Sequence, residues 1–316
     1  MHVPEHMLSG GVEAVAGVAA AAAVVYAVSR ARRDRSPNEG ASPVHRGLFA
    51  GAVAGFLFAA QMLNVPLGQG LSGHLIGGVL AVALLGPWIG TLAMTAVLAA
   101  QAVVFADGGV TTLGVNVLLM AVVPAVAWLL VGRWQPTWSP RVRAAVAAPL
   151  SVLVSAGLFA GLFAASGGAD VGAVAVSMLQ VHVGVAVFEG MVTVGLLAAA
   201  TRLAPALTYS AEPGRRQTVS PPAAVGWVAG AALLAGVGLS RFASGHPDGL
   251  EFVAGQHEFL PAVEQTPLLG WLAGYGELAG VDVAVAGLVG IVLVGAVVAA
   301  SAYATATGWR NTDVVG

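Results

Sequence analysis

The sequence predicts an all-α integral membrane protein of about nine transmembrane helices, with its N-terminus outside and its C-terminus inside. Three observations carry this. Of 316 residues, 58% are hydrophobic and only 9% charged, where a soluble domain carries about 25% charged residues. Apolar runs long enough to cross a hydrocarbon core of about 30 Å recur along the chain, and the mean hydropathy is +0.86. The basic residues, all 13 of them arginine, fall almost entirely on one side of the resulting layout.

The first run, 10–29 (GGVEAVAGVAAAAAVVYAVS), precedes a basic cluster. A secretory leader has the opposite order, so this segment reads as a retained helix that leaves Met1 and His2 in the mature protein. It carries small residues at four-residue spacing, such as Ala16/Ala20 and Ala19/Ala23, which suits close packing or sliding against a membrane partner. Further apolar segments lie at 47–63, 73–87, 88–106, 113–132, 144–165, 174–200, 223–240 and 283–304. Segment 73–87 is short for a span. It is nonetheless needed: with it, Arg30, Arg32, Arg33, Arg35, Arg46, Arg133, Arg141, Arg143, Arg202, Arg215, Arg216 and Arg310 all face inward, and only Arg241 faces out.

The same layout sorts the acids and imidazoles. His2, His6, His74, His246 and His257 lie at or beyond the outer face, and His182 near the outer start of a helix. Glu5, Asp107, Asp170, Asp248, Glu251, Glu258, Glu264, Glu277 and Asp282 collect there too. Such a face suits capture of an external cation, although ordinary solvated loops would have the same composition. A polar, proline-punctuated stretch separates two units. The expected division is a seven-helix unit at 1–205, a linker at 206–222 and a two-helix hairpin with a large outer loop at 223–316. No internal repeat of the inverted-transporter kind is evident.

Cysteine is absent, so thiolate sites and disulfides are excluded. MHVPEHMLSG offers a different metal chemistry. A free α-amine, the next backbone nitrogen and the His2 imidazole can close two fused chelate rings on one ion. A deprotonated amide favours square-planar or tetragonal Ni(II), Cu(II) or Co(II) over tetrahedral zinc. A second-position histidine can equally be an accident of translation start. A fourth nitrogen is available from His74, which follows a Gly-, Pro-, Asn- and Gln-rich outer loop, 64–72, beginning with Asn64. An ionisable residue at membrane depth is a functional candidate, although a lone histidine can also simply bridge two helices. His182 and Glu189 stand seven residues apart on one helix face, as a cation relay or as a polar contact between helices. Asp107-Gly108-Gly109, followed by Asn116, reads as a tight outer turn near the site.

These pieces resemble a known family. MHVPEHMLSG is similar to the start of the cobalt/nickel substrate-capture subunits of energy-coupling factor (ECF) transporters, the CbiM/NikM type, usually Met-His-Ile-Pro-Asp/Glu-Gly-Phe-Leu. The resemblance continues through QMLNVPLGQGLSGHLIGGVLAVALLGPWIGTLAMTAVLAAQAVVFADGGVTTLGVNVLLMAVV and MLQVHVGVAVFEGMVTVGLL. After the linker, Pro247-Asp248-Gly249-Leu250-Glu251 resembles the signature of the small N-type component, CbiN/NikN, so the chain looks like an M–N fusion. The resemblance implies a plasma-membrane protein that captures Co2+ or Ni2+ on its extracytoplasmic side. It implies four nitrogen ligands: the Met1 amine, the His2 backbone nitrogen and the rings of His2 and His74. It further implies a transmembrane coupling subunit (CbiQ/NikQ type) and a separate ATPase (CbiO/NikO type). No permanently bound cofactor and no nucleic-acid partner are expected. His6 stands where the family has glycine, which bears on the local turn or adds a ligand. Glu5, His6, Asn64, Asp107, His182 and Glu189 are the candidates for supporting or pathway residues.

Rival readings have weaker footing. The chain has no lysine and no GxxxxGK[ST] phosphate loop, so ATP hydrolysis belongs elsewhere. His257-Glu258-Phe259-Leu260-Pro261 lacks the second histidine of a zincin helix. A stand-alone permease would rely on His182 and Glu189, without the HxxxxDH helix of nickel/cobalt permeases.

Overall fold

A computed structural model describes residues 2–33, 41–68, 70–211, 218–260 and 282–307. Met1, Arg35, Arg215, Arg216, Arg310, Glu264 and Glu277 lie outside the described residues. Among the described residues eight helices are long and apolar enough to cross a membrane. They are α1 Gly10–Ala31, α2 Pro43–Gln61, α4 Pro87–Ala100 with its continuation to Phe105, and α5 Leu113–Val117 continuing through α6 Val123–Trp134. Then come α7 Pro140–Ala165, α8 Val171–Leu203, α9 Pro221–Leu233 with its continuation to Phe242, and α11 Val283–Thr307. The protein is an all-α integral membrane protein. A short hairpin, β1 Val65–Gly68 and β2 Leu71–Gly73, occupies the loop after α2.

The expected helical span at 73–87 is where the structure departs from the sequence reading. Its helix, α3, runs only over Gly78–Leu85. His74–Gly77 is non-helical. The segment nonetheless runs alongside α2. Gln61, at the end of α2, donates from Nε2 to the Ile76 carbonyl at 2.7 Å. Arg46, at the start of α2, lines one small cavity with Leu84 and Leu85. Residues 76–85 therefore run the length of α2. Four extended residues at about 3.3 Å each and eight helical ones at about 1.5 Å each reach roughly 25 Å. An 8-residue helix suffices because part of the passage is extended.

Non-helical backbone is tolerated at membrane depth only inside protein, where its polar groups find partners. Residues 74–84 are buried without exception. The Glu189 carboxylate accepts from the Ile76 amide and the Gly77 amide, each at 2.8 Å. Gly77 has φ of 76° and caps α3 in the left-handed region, which a side chain would strain. The apolar run of 73–87 hides this break, because periodicity does not register a buried carboxylate 112 residues away.

Among the described arginines, Arg46 and Arg241 lie at opposite faces. Ala31, Arg46, Leu85, Leu207 and Thr305 line one cavity, so the ends of α1, α3 and α11 and the start of α2 share a face. His2 lies at the opposite one. Arg241 is paired with Asp282 at 3.3 Å. Large apolar residues such as Val18, Leu130, Val187, Trp227 and Val292 remain exposed on the spans, as a lipid-facing surface requires. The small-residue face of α1 is put to use within the chain: Ala16, Ala20, Ala27 and Ala31 are buried.

α11 packs along α2 through a seam of small residues. A Cβ at Gly51 would strike the Gly295 carbonyl, and one at Gly47 would come within 2.9 Å of the Ala299 carbonyl. Van der Waals contact across such a seam is what holds helices together in lipid. Gly51→Leu is expected to force α11 away from α2, costing about 1–3 kcal/mol. Thermal unfolding in detergent micelles, with Ala52→Leu on the half-buried flank of α2 as control, reads this as a lowered midpoint.

Candidate metal-capture site

Residues 2–8 thread back into the molecule instead of trailing from α1. Val3 is fully buried, and its backbone is claimed from several directions. Its amide donates to Asn116 Oδ1 at 2.8 Å. Its carbonyl accepts from Thr112 Oγ1 at 2.6 Å, from Asn116 Nδ2 at 3.1 Å and from the Gly109 amide at 3.2 Å. Glu5 accepts the Val110 amide at 2.9 Å, so its carboxylate anchors the segment to the 107–110 turn. The Asp107-Gly108-Gly109 turn with Asn116 is thus the clasp of the N-terminal strand. Met7 and Leu8 are buried behind it.

The clasp carries His2 to His74. Their rings stack with centroids 5.2 Å apart and planes 24° from parallel, and both side chains are buried. His74 stands at the break between β2 and α3, which Glu189 and Gln61 hold. Neighbouring acceptors fix which ring nitrogens carry protons. His74 Nδ1 faces the Leu75 carbonyl at 3.2 Å, which can only accept, so when the ring is neutral its lone pair lies on Nε2. With Gln101 oriented to present Oε1, His2 Nε2 donates to it at 3.3 Å and leaves the lone pair on Nδ1. Gln101 reaches the ring from the π-helical turn Gln101–Phe105 that ends the α4 span, a distortion often found at functional sites.

The other nitrogen of each ring faces a carboxylate. His2 Nδ1 is 3.5 Å from Asp107 Oδ1, and His74 Nε2 is 3.8 Å from Asp248 Oδ2. Burial lowers the His2 pKa to about 4 and outweighs the Asp107 carboxylate, which raises it. His2 is therefore neutral at ordinary pH and its approach to Asp107 is not an ion pair. For Asp248 burial pushes the pKa up, but the amino-terminal charge and His74 outweigh it and hold the carboxyl well below the usual range. Two imidazoles and two carboxylates lie at one locus, the kinds of donor that a divalent cation takes. Among the described residues no three His, Cys, Asp or Glu side chains converge on a single point. Main-chain nitrogen is the donor that would complete such a site, and Met1 lies outside the described residues.

The remaining sequence candidates go elsewhere. His6 is exposed, with φ of 63° in the left-handed region, which accounts for a turn position that favours glycine. Asn64 serves through its backbone carbonyl, which accepts the Ser244 amide at 2.8 Å. His182 lies three turns inside α8, not at its start; its Nδ1 is 2.8 Å from the Met178 carbonyl. Glu189 is committed to the 76–77 backbone. Of the candidate supporting residues, Asp107 approaches the His2 ring. Gln101 and Asp248 are the functional neighbours that the sequence reading left out. Asp248 had a signal, its place in Pro247-Asp248-Gly249-Leu250-Glu251; Gln101 had none beyond being a polar residue in an apolar run.

Comparison with known proteins bears on the same residues. The sequence model of CbiM, described as the cobalt uptake substrate-specific transmembrane region, matches residues 2–207. The chain belongs to the CbiM family. It is 43% identical over 123 residues to a putative fused nickel transport protein NikMN of Archaeoglobus fulgidus, covering 39% of this chain and 38% of that one. It is 39% identical over 128 residues to the fused nickel transport protein NikMN of Rhodobacter capsulatus, covering 40% and 35%. It is 47% identical over 76 residues to the cobalt transport protein CbiM of Anoxybacillus flavithermus, covering 24% and 30%. The matched stretches thus span a minority of these relatives' lengths. A solved structure described as a truncated transition metal transporter superposes with a TM-score of 0.50 at 26% identity, covering 63% of this chain and 97% of that one.

The His2 environment makes this CbiM-family chain sensitive to acid. A released His2 takes a proton near its ordinary value of 6.5, whereas the docked ring does so only near 4. The released segment binds more protons, so docking is at full strength above 6.5 and weakens as the pH falls toward 4. Hydrogen exchange at the Val3 amide should report this as protection that is lost between those values.

Proposed function

We propose that this chain captures and imports divalent cobalt or nickel as the substrate-specific subunit of an ATP-driven ECF-type transporter. It is a transporter subunit and not an enzyme. The observation that carries the reading is the stacking of His2 on His74 at 5.2 Å, with the N-terminal strand clasped at Val3 directly behind it. The names of the relatives, which concern nickel and cobalt transport, support the same class of ion.

The ion is held by the Met1 amine, the His2 backbone nitrogen, His2 Nδ1 and His74 Nε2. The lone-pair assignments above match that ligand set, and a His2 that is neutral at ordinary pH does not have to shed a proton first. Only the amine and the amide must release one, so binding weakens in acid. The His2 face is the extracytoplasmic face of the plasma membrane, a placement supported by the arginines gathered at the other. Residues 1–205 form the capture unit, 206–222 a cytoplasmic linker and 223–316 an N-type hairpin. Coupling to ATP comes from a CbiQ/NikQ-type membrane subunit and a CbiO/NikO-type ATPase. No resident cofactor takes part. A stand-alone permease gains little from α8, because both oxygens of Glu189 are engaged with backbone amides.

One alanine inserted between Met1 and His2 keeps every side chain but changes the chelate ring. The expected result is loss of Co(II) and Ni(II) binding by the purified chain, to the level of His74→Ala. Wild-type binding by the insertion variant would refute the site. Uptake by cells that express the chain without any ATPase subunit would refute the coupling.

A further inference from the structure

Beside α3 and α8 the C-terminal hairpin contributes a group to the same locus. The short helix α10, Gly249–Gln256, lies over the end of α8. Ser72, two residues before His74, donates its amide to the Pro247 carbonyl at 3.0 Å and its hydroxyl to the His246 carbonyl at 2.6 Å. At the far end of α10, His257 Nε2 meets Ser177 Oγ at 2.9 Å, and the Phe259 ring packs on Phe163 at 4.5 Å. The hairpin is therefore fixed at both ends of α10.

Every residue of Pro247-Asp248-Gly249-Leu250-Glu251 helps to aim one oxygen atom. Pro247 supplies the carbonyl bound by Ser72. Asp248 caps α10: its Oδ1 accepts the Leu250 amide at 2.8 Å and the Glu251 amide at 3.0 Å. Glu251 Oε2 accepts the Asp248 amide at 3.1 Å and completes a capping box. Leu250 is fully buried. A Cβ at Gly249 would come 3.0 Å from His182 Cε1, a tight approach that favours glycine where the cap meets α8. With Oδ1 taken by the cap, Oδ2 is turned toward His74 Nε2 at 3.8 Å. That separation is too long for a hydrogen bond. With metal–nitrogen and metal–oxygen bonds of about 2.0–2.2 Å, two ligands of a shared ion stand roughly 3–4 Å apart.

We infer that Asp248 is a ligand of the capture site, giving Oδ2 to the same divalent cation that His74 Nε2 binds. This rests on the proposed site and adds to it an oxygen donor from the hairpin. Asp248 would add an oxygen to the nitrogen donors of the proposed site. Because the hairpin brings this ligand, its docking and the ion's capture are one event, and capture is weaker whenever the hairpin is displaced.

Asp248→Asn tests the carboxylate alone, because asparagine caps a helix as well as aspartate does. Glu251→Gln is the control: it perturbs the capping box and leaves the Asp248 carboxylate in place. Co(II) affinity and the visible absorption of the bound ion are measured on the purified full chain. The expected result for Asp248→Asn is affinity lower by about tenfold or more and an altered absorption spectrum, with Glu251→Gln close to wild type. Wild-type affinity and spectrum in Asp248→Asn overturn the inference. Equal losses in both variants overturn it too, because they assign the effect to hairpin docking. His74→Ala separates the two levels. If it abolishes binding while Asp248→Asn does not, only the role of Asp248 falls; if it binds normally, the proposed site itself falls.

Discussion

The position of His2 depends on the backbone of Val3. A flexible N-terminus gains nothing by burying a bare amide and carbonyl, because each loses its water on the way in. Asn116, Thr112 and Gly109 return hydrogen bonds to both groups at 2.6–3.2 Å. Each such bond contributes only about 1 kcal/mol net, yet a buried group left without one costs about 1–3 kcal/mol. The clasp therefore makes the strand nearly all-or-none: it is docked with every partner in place, or it is out. Glu5, on the Val110 amide, ties the next turn to the same loop. A chelate formed by the first residues of a chain needs such an anchor, since an unanchored terminus would bind its ion in solution and not at a membrane site.

The opposite wall is built by a comparable exchange of polar groups. His74 occurs where a helix would be cheapest in lipid, and the chain is not helical there. The cost of the exposed amides is met by Glu189, and that of the Ile76 carbonyl by Gln61. The break lets β2, His74 and α3 share one passage, so that the imidazole lies at the surface end of a short buried helix. His2 and His74 are thus each placed by a buried side chain from a distant helix, Asn116 in one case and Glu189 in the other.

Much of this was legible in the sequence. Eight of the nine expected spans are long apolar helices among the described residues, and His2 and His74, brought together by the sequence reading, stack on one another. The clasp was partly legible, as an Asp-Gly-Gly turn with Asn116 close by. What the sequence did not disclose are contacts between polar residues far apart in the chain. Glu189 and His182 have the spacing of a relay, but Glu189 is occupied by backbone amides and His182 rests against Gly249. Their shared helix face is real, and both side chains make packing contacts there. Segment 73–87 reads as a helix because its composition is uniformly apolar, and only the tertiary contacts reveal the break. Gln101 shows the same limit: one amide in an apolar run acquires meaning when a π-helical turn points it at His2.

The central claim is that one ion is bound by both His2 and His74. X-ray absorption at the metal edge of the Ni(II)-loaded chain tests it most directly, because imidazole rings leave a distinct multiple-scattering signature. The account predicts two imidazoles in the coordination shell of the wild type and one after His74→Ala, in whatever ion that variant retains. A wild-type shell with one imidazole or none would contradict it.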